Sequence, residues 1–384
     1  MSKIVIVNTS VNGHHPFYLA LIIKSLIEHS KITVLGELTK SVRHYLDRYS
    51  VEPSSVKWVQ PDGNTMADFY AQSLSVAKQE NASIVFYAFF DHFIEYVLLE
   101  DRPVDHEVAG IWFHPYALDP KYGRRFGSTR NKYRKLIHSK LRNKATAANI
   151  RKIFFLDPDG PKKLTRVNPN IIGRTLPDPG ESNPTMDQST ARQYFKLPGK
   201  EKIIFLHVGT SEKRKGLSDT IEAFHRGLSN RKFRERAFLL RVGMNDRLSA
   251  QDRTRLLELV NSGNASLVEG YVPEDDFIEY FSAADVILIP YRKFRFSSGI
   301  LVNAINVGRP ILASNYGMIG EAVMKMDSGR CFRHRSVSSL SKALVAQCQT
   351  EPAVVPGTDT VKDQVKFMRL ITDTFEAETM NLKT

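Results

Sequence analysis

Residues 202–224 read KIIFLHVGTSEKRKGLSDTIEAF. An apolar run ends at Gly209, a short polar loop follows, and a helical pattern starts near Gly216. A near-continuous apolar strand leading into a helix predicts a parallel sheet covered on both faces. Lys213, Arg214 and Lys215 fall where a helix N-terminus directs its free N–H groups. Backbone donors and lysine charge together suit a phosphate. A basic surface loop is the plainer reading of the same residues. GxxxxGK[ST] is absent, so this is not a P-loop.

The same alternation extends in both directions. Downstream come AFLLRVG (237–243), ASLVEGY (265–271), DVILIPY (285–291) and PILASN (310–315). Upstream are KIVIVN (3–8), ITVLGE (32–37), SVKWVQ (55–60), ASIVFYAF (82–89), VAGIWFH (108–114) and KIFFLD (152–157), mostly separated by helical patterns. Residues 177–200 are rich in Pro, Gly and polar side chains and read as a linker. The expected layout is α/β throughout: one domain over 1–178, a second over 179–358, and a closing helix with tail over 359–384. Val361, Val365, Met368, Ile371 and Phe375 recur at helical spacing in that last stretch. Ligands of open parallel sheets bind beyond the carboxyl ends of the strands, so two facing sheets would leave a cleft for them.

Bulk properties narrow the class. The chain has 384 residues, 42% apolar and 25% charged, as expected of a folded globular protein. No apolar run approaches the ~20 residues of a membrane span, and the opening residues read as a strand rather than a signal peptide. Cys331 and Cys348 are the two cysteines, which argues against a disulfide framework and for the cytoplasm. The net charge of +13 is concentrated in residues 121–152, with twelve Lys or Arg and no Asp or Glu. Arg124, Arg125, Arg130, Lys132, Arg134 and Lys135 make this a patch for an anionic partner: lipid, a phosphorylated acceptor or nucleic acid. A solvated helix face is the alternative. No nucleic-acid module accompanies the run, so nucleic acid is not expected. Tyr122, Phe126, Tyr133, Leu136 and Ile137 lie among the charges and are candidates for entering a membrane interface.

Three further segments bear on chemistry. In GYVPEDDFIEYFSAADVILIPY (270–291), Asp285 precedes a strand and reads as structural. In FRFSSGILVNAINVGRPILASNYGMIGEAV (294–323), Ser297, Ser298 and Gly299 open a helix that ends at Gly308. Backbone N–H groups at such a start are little covered and again suit a diphosphate, although ordinary N-capping uses the same residues. In the first half, Gly13 lies in the loop after the first strand, and His14 and His15 precede Pro16. Adjacent histidines are expected to point apart, so they are not read as a metal pair. Asp91 and His92 follow strand 82–89 and suit either a site or a helix cap.

The ordered set of VGTSEKRKG, GYVPEDDFIEYFSAADVILIPY, SSGILVNAINVGRPILAS and NYGMIGEAV resembles the donor domain of the family-four retaining glycosyltransferases. The match covers about 140 residues. The first half resembles them more loosely, through NTSVNGHHPFY and GIWFHPY. The resemblance implies a GT-B fold, two Rossmann-like domains facing across a cleft. It implies transfer of a sugar from a nucleotide-sugar donor to a glycan or lipid-linked acceptor, with retention, as in polysaccharide biosynthesis. His114 would be the active-site histidine. Gly13, Gly209, Lys215, Ser298, Gly299, Ile300 and Asn303 would bind the donor, and Thr210, Arg214, Arg295 and Glu321 are secondary candidates. No metal or other cofactor is expected. The sequence departs from the family at three places. Thr210 stands where the family carries Arg, and Arg295 and Asn303 where it carries two glutamates. A non-catalytic binding protein of the same fold and a sugar-nucleotide epimerase therefore stay as alternatives. The expected location is the cytoplasm, with docking to the inner face of the cell membrane.

Overall fold

The computed structural model describes residues 1–10, 13–99, 104–119, 129–145, 148–180, 184–350, 357–358 and 360–381. The chain divides into two compact units, one of Met1–Pro179 with Val361–Thr384, the other of Gly180–Thr360.

Among the described residues the first unit is built on seven strands: β1 (Ser2–Val7), β2 (Ser30–Leu35), β3 (Lys57–Val59), β4 (Ile84–Tyr87), β5 (Glu107–Ile111), β6 (Ile150–Phe155) and β7 (Ile172–Thr175). They pair in the order β3-β2-β1-β4-β5-β6-β7, every pairing parallel. The apolar runs explain this. Ile4, Ile6, Val34 and Phe86 face one buried cluster, while Val5, Val7, Val85 and Tyr87 face another on the opposite side of the sheet. Alternate residues of one strand thus enter two cores, as a sheet covered on both faces requires. Phe367 and Ile371, from the helix Thr360–Asn381, belong to the first of these clusters. Thr372 adds a hydrogen bond to the Ser25 carbonyl at 2.6 Å.

The described residues of the second unit carry six strands: β8 (Ile203–Val208), β9 (Ala237–Val242), β10 (Ala265–Val268), β11 (Val286–Ile289), β12 (Ile311–Ser314) and β13 (Gly329–Phe332). Their order is β10-β9-β8-β11-β12-β13, again parallel. In each sheet the direction of strand addition reverses once, between β1 and β4 and between β8 and β11. The space beyond the strand ends at such a reversal is the usual ligand position in doubly wound sheets.

Three expectations need correction. β7 and β13 were not anticipated from the sequence. The segment 184–200 is not a free linker. Asp187 N-caps a helix, Gln188–Tyr194, by accepting from the Thr190 amide. That helix is clipped to the second unit. Arg192 donates to Asp285 at 2.5 Å, to the Ala283 carbonyl and to the Gly199 carbonyl. Asp285 also accepts from the Ile204 amide at 2.7 Å and from Gln188 at 2.9 Å. Its role is structural, as expected, and it is that of a brace between segments.

Two polar side chains interrupt the buried central strands β8 and β9. Arg241 is fully buried and uses all five of its N–H donors. They reach Asn245 Oδ1 and the carbonyls of His207, Val242, Gly209 and Met244. The acceptors lie at the carboxyl ends of β8 and β9, so one side chain ties down both loops that start there. Burial lowers its pKa to about 10, with Glu269 opposing the shift. His207, 1% exposed, meets the Lys215 carbonyl through Nε2 at 3.2 Å. A carbonyl only accepts, so Nε2 carries the proton. Burial, then the charge on Arg241, lowers the His207 pKa to about 3.

Two stability predictions follow from these contacts. Asp285→Ala strands the buried Arg192 guanidinium and should cost about 3 kcal/mol or more in urea unfolding, whereas Arg192→Met with Asp285→Leu should recover most of the loss. His207 binds its proton far more weakly folded than unfolded. Its contribution is therefore complete above the unfolded pKa of about 6.5 and is lost as pH falls toward about 3, at ~1.4 kcal/mol per pH unit. His207→Gln should flatten that slope in unfolding midpoints measured from pH 7 to pH 4.

Candidate functional site

The second unit's crevice is built by the loop after β8 and the loop after β11. The first contains a short turn of 3-10 helix, Lys213–Lys215, which separates the strand from helix Leu217–Gly227. Gly216 joins them at φ 72°, and a Cβ there would lie 2.1 Å from the Pro290 carbonyl oxygen. Only glycine lets the two loops touch at this point. The contact delivers Lys215 to Tyr291. Lys215 Nζ donates to the Tyr291 hydroxyl at 2.5 Å and lies 4.4 Å from the centroid of its ring.

The Tyr291 hydroxyl is also 3.2 Å from Ser298 Oγ. Ser298 N-caps helix Gly299–Val307, and its Oγ accepts from the Ile300 amide at 3.3 Å. A Cβ added at Gly299 would meet nothing within 4 Å, so the helix start is open. Gly209 also borders Lys215, since a Cβ there would lie 3.8 Å from Lys215 Nζ. The sequence candidates Gly209, Lys215, Ser298, Gly299 and Ile300 therefore converge. A lysine ammonium brought beside a helix N-terminus has the chemistry to suit an anion.

The remaining candidates are placed differently. Asn303 lies on the same helix but is 3% exposed. Arg295 packs over the Tyr316 ring at 5.6 Å and donates to its hydroxyl at 3.4 Å, and Tyr316 in turn stacks on His334. Arg214 pairs with Glu212 at 2.7 Å and lies over Phe294. Thr210 and Glu321 are exposed. Arg292, not singled out by sequence, holds the Asp219 carboxylate through two 2.6 Å hydrogen bonds.

In the first unit, His114 follows β5. Asp91, from the loop after β4, accepts from the amides of Phe113 at 2.9 Å and His114 at 2.8 Å. Its carboxylate is 3.5 Å from His114 Nδ1. Asp91 thus fixes both the backbone and the imidazole of His114 rather than capping its own helix. A pocket of about 200 Å³ adjoins them, walled by Trp112, Tyr116 and Tyr133. Aromatic walls with a carboxylate and an imidazole suit a ligand that is apolar on its faces and rich in hydroxyls at its edges. Gly13 is exposed at φ 62° with open space where a Cβ would be.

His14 and His15 do not point apart. Their rings stack with centroids 5.4 Å apart, because His15 lies flat on Phe89 at 3.5 Å and His14 follows it. Burial, then His14 and His92, lowers the His15 pKa to about 2. His92 meets Thr9 Oγ1 at 2.9 Å, and its pKa is lowered chiefly by burial. Both rings are neutral at pH 7. Among the described residues no group of three or more His, Cys, Asp or Glu is placed to hold a metal ion.

The basic segment is only partly a surface. Arg124 and Arg125 lie outside the described residues, as do Tyr122 and Phe126, and the Arg130 side chain is likewise not described. Helix Thr129–Lys144 presents Lys132 and Lys135 to solvent and leaves Leu136 45% exposed. Arg134 is half-buried. Ile137, expected near an interface, is 1% exposed because it packs in the core with Leu141. Lys152 is buried as well, paired with Glu107 at 2.8 Å. No helix among the described residues is long and apolar enough to cross a membrane.

Sequence reasoning missed Arg241, His207, Tyr291 and the hold of Asp91 on His114. The first two had a signal, a lone polar residue inside an otherwise apolar strand.

Known proteins can now be set beside this geometry. Residues 188–348 match the family described as glycosyl transferases group 1. Sucrose-phosphate synthase from Thermosynechococcus elongatus is similar in structure, with a TM-score of 0.64 at 14% identity, over 100% of this chain and 98% of that one. HepE of Anabaena in complex with UDP superposes with a TM-score of 0.63 at 12% identity, over 99% of this chain and 100% of the other. WaaG, a glycosyltransferase involved in lipopolysaccharide biosynthesis, has a TM-score of 0.61 at 16% identity, over 97% and 95%. No curated protein sequence matches this one. Residues 188–348 thus resemble the glycosyl transferases group 1 family, and the fold of the chain is of the GT-B type seen in these structures.

Proposed function

We propose that this chain transfers a sugar from a nucleotide-sugar donor to a glycan or lipid-linked acceptor, with retention. The observation that carries the reading is the meeting of Lys215 with the open start of helix Gly299–Val307. Together they would hold the donor diphosphate and stabilise the charge that grows on it as the sugar departs. The acceptor hydroxyl would enter on the face the diphosphate leaves. His114, steadied by Asp91, would orient hydroxyls of the sugar through hydrogen bonds. Lysine and helix supply the positive charge, so the reading invokes no metal. The bound UDP of the Anabaena relative makes uridine nucleotides the first donors to try.

Arg295 favours one other reading. A cation held on Tyr316 cannot accept hydrogen bonds from a sugar, which suits a non-catalytic binding protein of this fold. An epimerase would convert a sugar nucleotide without an acceptor, whereas a transferase needs one. Incubation with and without acceptor separates these cases. The first experiment is a thermal-shift screen of nucleoside diphosphates and sugar nucleotides, where a ligand at a hundredfold excess over its Kd adds ~2.7 kcal/mol. No shift with any of them would overturn the donor reading.

We place the acceptor side at the membrane. Exposed Lys132, Lys135 and Leu136 on helix Thr129–Lys144 suit reversible docking to anionic lipid at the cytoplasmic face, at ~1 kcal/mol per nearby cation.

Two outcomes are expected. Lys215→Ala should weaken nucleoside diphosphate binding by ~1.5–3 kcal/mol in calorimetry, the value of a charge-assisted hydrogen bond, while His114→Ala should keep that affinity and lose turnover. Liposome co-sedimentation should show binding to anionic vesicles that fades as the Debye length shrinks to ~3 Å at 1 M salt. Equal binding to neutral vesicles would remove the membrane from the reading.

A further inference from the structure

We propose that Tyr291 is a positioning residue that polarises the phosphate site, fixing Lys215 and Ser298 as hydrogen-bond donors to a diphosphate. The inference rests on the nucleotide-donor reading above and concerns a residue which that reading does not use.

Tyr291 is placed rigidly. It is 3% exposed, two residues beyond β11. Its carbonyl accepts from Ser314 Oγ at 2.9 Å, and its ring meets Phe294 edge-on at 5.7 Å between centroids. The hydroxyl therefore stands at a fixed point between the loop after β8 and the helix start.

Hydrogen-bond directions there follow from donor chemistry. An ammonium only donates, so the 2.5 Å contact makes the Tyr291 oxygen the acceptor from Lys215. At the 3.2 Å contact with Ser298 Oγ either hydroxyl can donate; the phenolic proton is assigned to Ser298 Oγ, since the phenol oxygen already accepts from the ammonium. Ser298 Oγ also accepts from the Ile300 amide at 3.3 Å. Both of its lone pairs are then engaged, and its own proton is directed elsewhere. The relay runs Lys215 to Tyr291 to Ser298, and it ends with a serine hydroxyl that can only donate. Lys215 retains two further N–H donors. The Gly299 amide, at a helix start open to solvent, adds another. Several donors with no competing acceptor among them match the oxygens of a diphosphate better than those of a single phosphate. Without the phenol, Ser298 Oγ would keep only its contact with the Ile300 amide, its proton would no longer be directed, and Lys215 Nζ would lose its hydroxyl partner.

Tyr291→Phe is the test. The ring and its packing stay, and only the hydroxyl goes. Calorimetry with uridine diphosphate and uridine monophosphate compares wild type, Tyr291→Phe, Ser298→Ala and the double variant. Tyr291→Phe should lower uridine diphosphate affinity roughly tenfold, the scale of one hydrogen bond, and leave uridine monophosphate affinity largely unchanged. The double variant should bind no worse than the weaker single one, because both break the same relay. Unchanged diphosphate affinity in Tyr291→Phe would overturn the proposal. So would equal losses for both nucleotides, the mark of a merely structural role, or losses that multiply in the double variant. Wild type that binds no nucleoside diphosphate would instead bring down the donor reading, and the relay with it.

Discussion

The burial of the Arg241 guanidinium is the constraint on which the second unit's site depends. A cation inside a sheet is costly unless its donors are all met, and here each N–H has an oxygen. Four of the oxygens are backbone carbonyls at the strand ends and in the loops, the fifth is Asn245 Oδ1, and none belongs to a carboxylate, so the loops must take the shape that presents them. Gly209 and Gly243 lie at φ 117° and 121°, and a Cβ on Gly243 would come within 2.2 Å of the Gly209 carbonyl oxygen. Lys215 is fixed in turn, because its carbonyl meets His207 beside that guanidinium. A buried charge that never touches the ligand thus sets the place of the charge that would.

The two crevices repeat one topology with different chemistry. After β8 and β11 the side chains are cationic and the backbone offers amides, which suits an anion. After β1 and β4 they are imidazoles held neutral by burial, with Phe89 and Phe113 stacked at 4.4 Å. Neutral rings can donate on one nitrogen and accept on the other, which suits hydroxyl groups. The fold alone explains neither set. It explains only why both lie at the carboxyl ends of strands that flank a reversal in order.

Much of the architecture was legible because buried parallel strands are written as apolar runs. Of the four edge strands, β3 and β10 were legible and β7 and β13 were not. β7 reads IGRT and β13 reads GRCF, short and half-exposed, so their hydropathy resembles that of loops. The segment before residue 200 misled for a related reason. Pro and Gly signal a break, but the Asp285 and Arg192 brace that makes the following helix part of a unit joins residues 93 apart. At the site, Lys215 and Ser298 were readable from local motifs. Tyr291 and Asp91 were not, because their meaning lies in partners 76 and 23 residues away. The basic run was readable as charge, but not the turning of Ile137 inward to the core.

The return of helix Thr360–Asn381 to the first unit also bears on how the chain is made. The second unit is contiguous, so its sheet can close once its own residues have left the ribosome. The first unit must wait, since Phe367 and Ile371 complete its core and are synthesised after the whole of the second unit. The usual order, in which the N-terminal domain folds first, is open to reversal here. Until that helix emerges, the aromatic face around Phe86 and Phe154, which Phe375 covers, stands without its last layer.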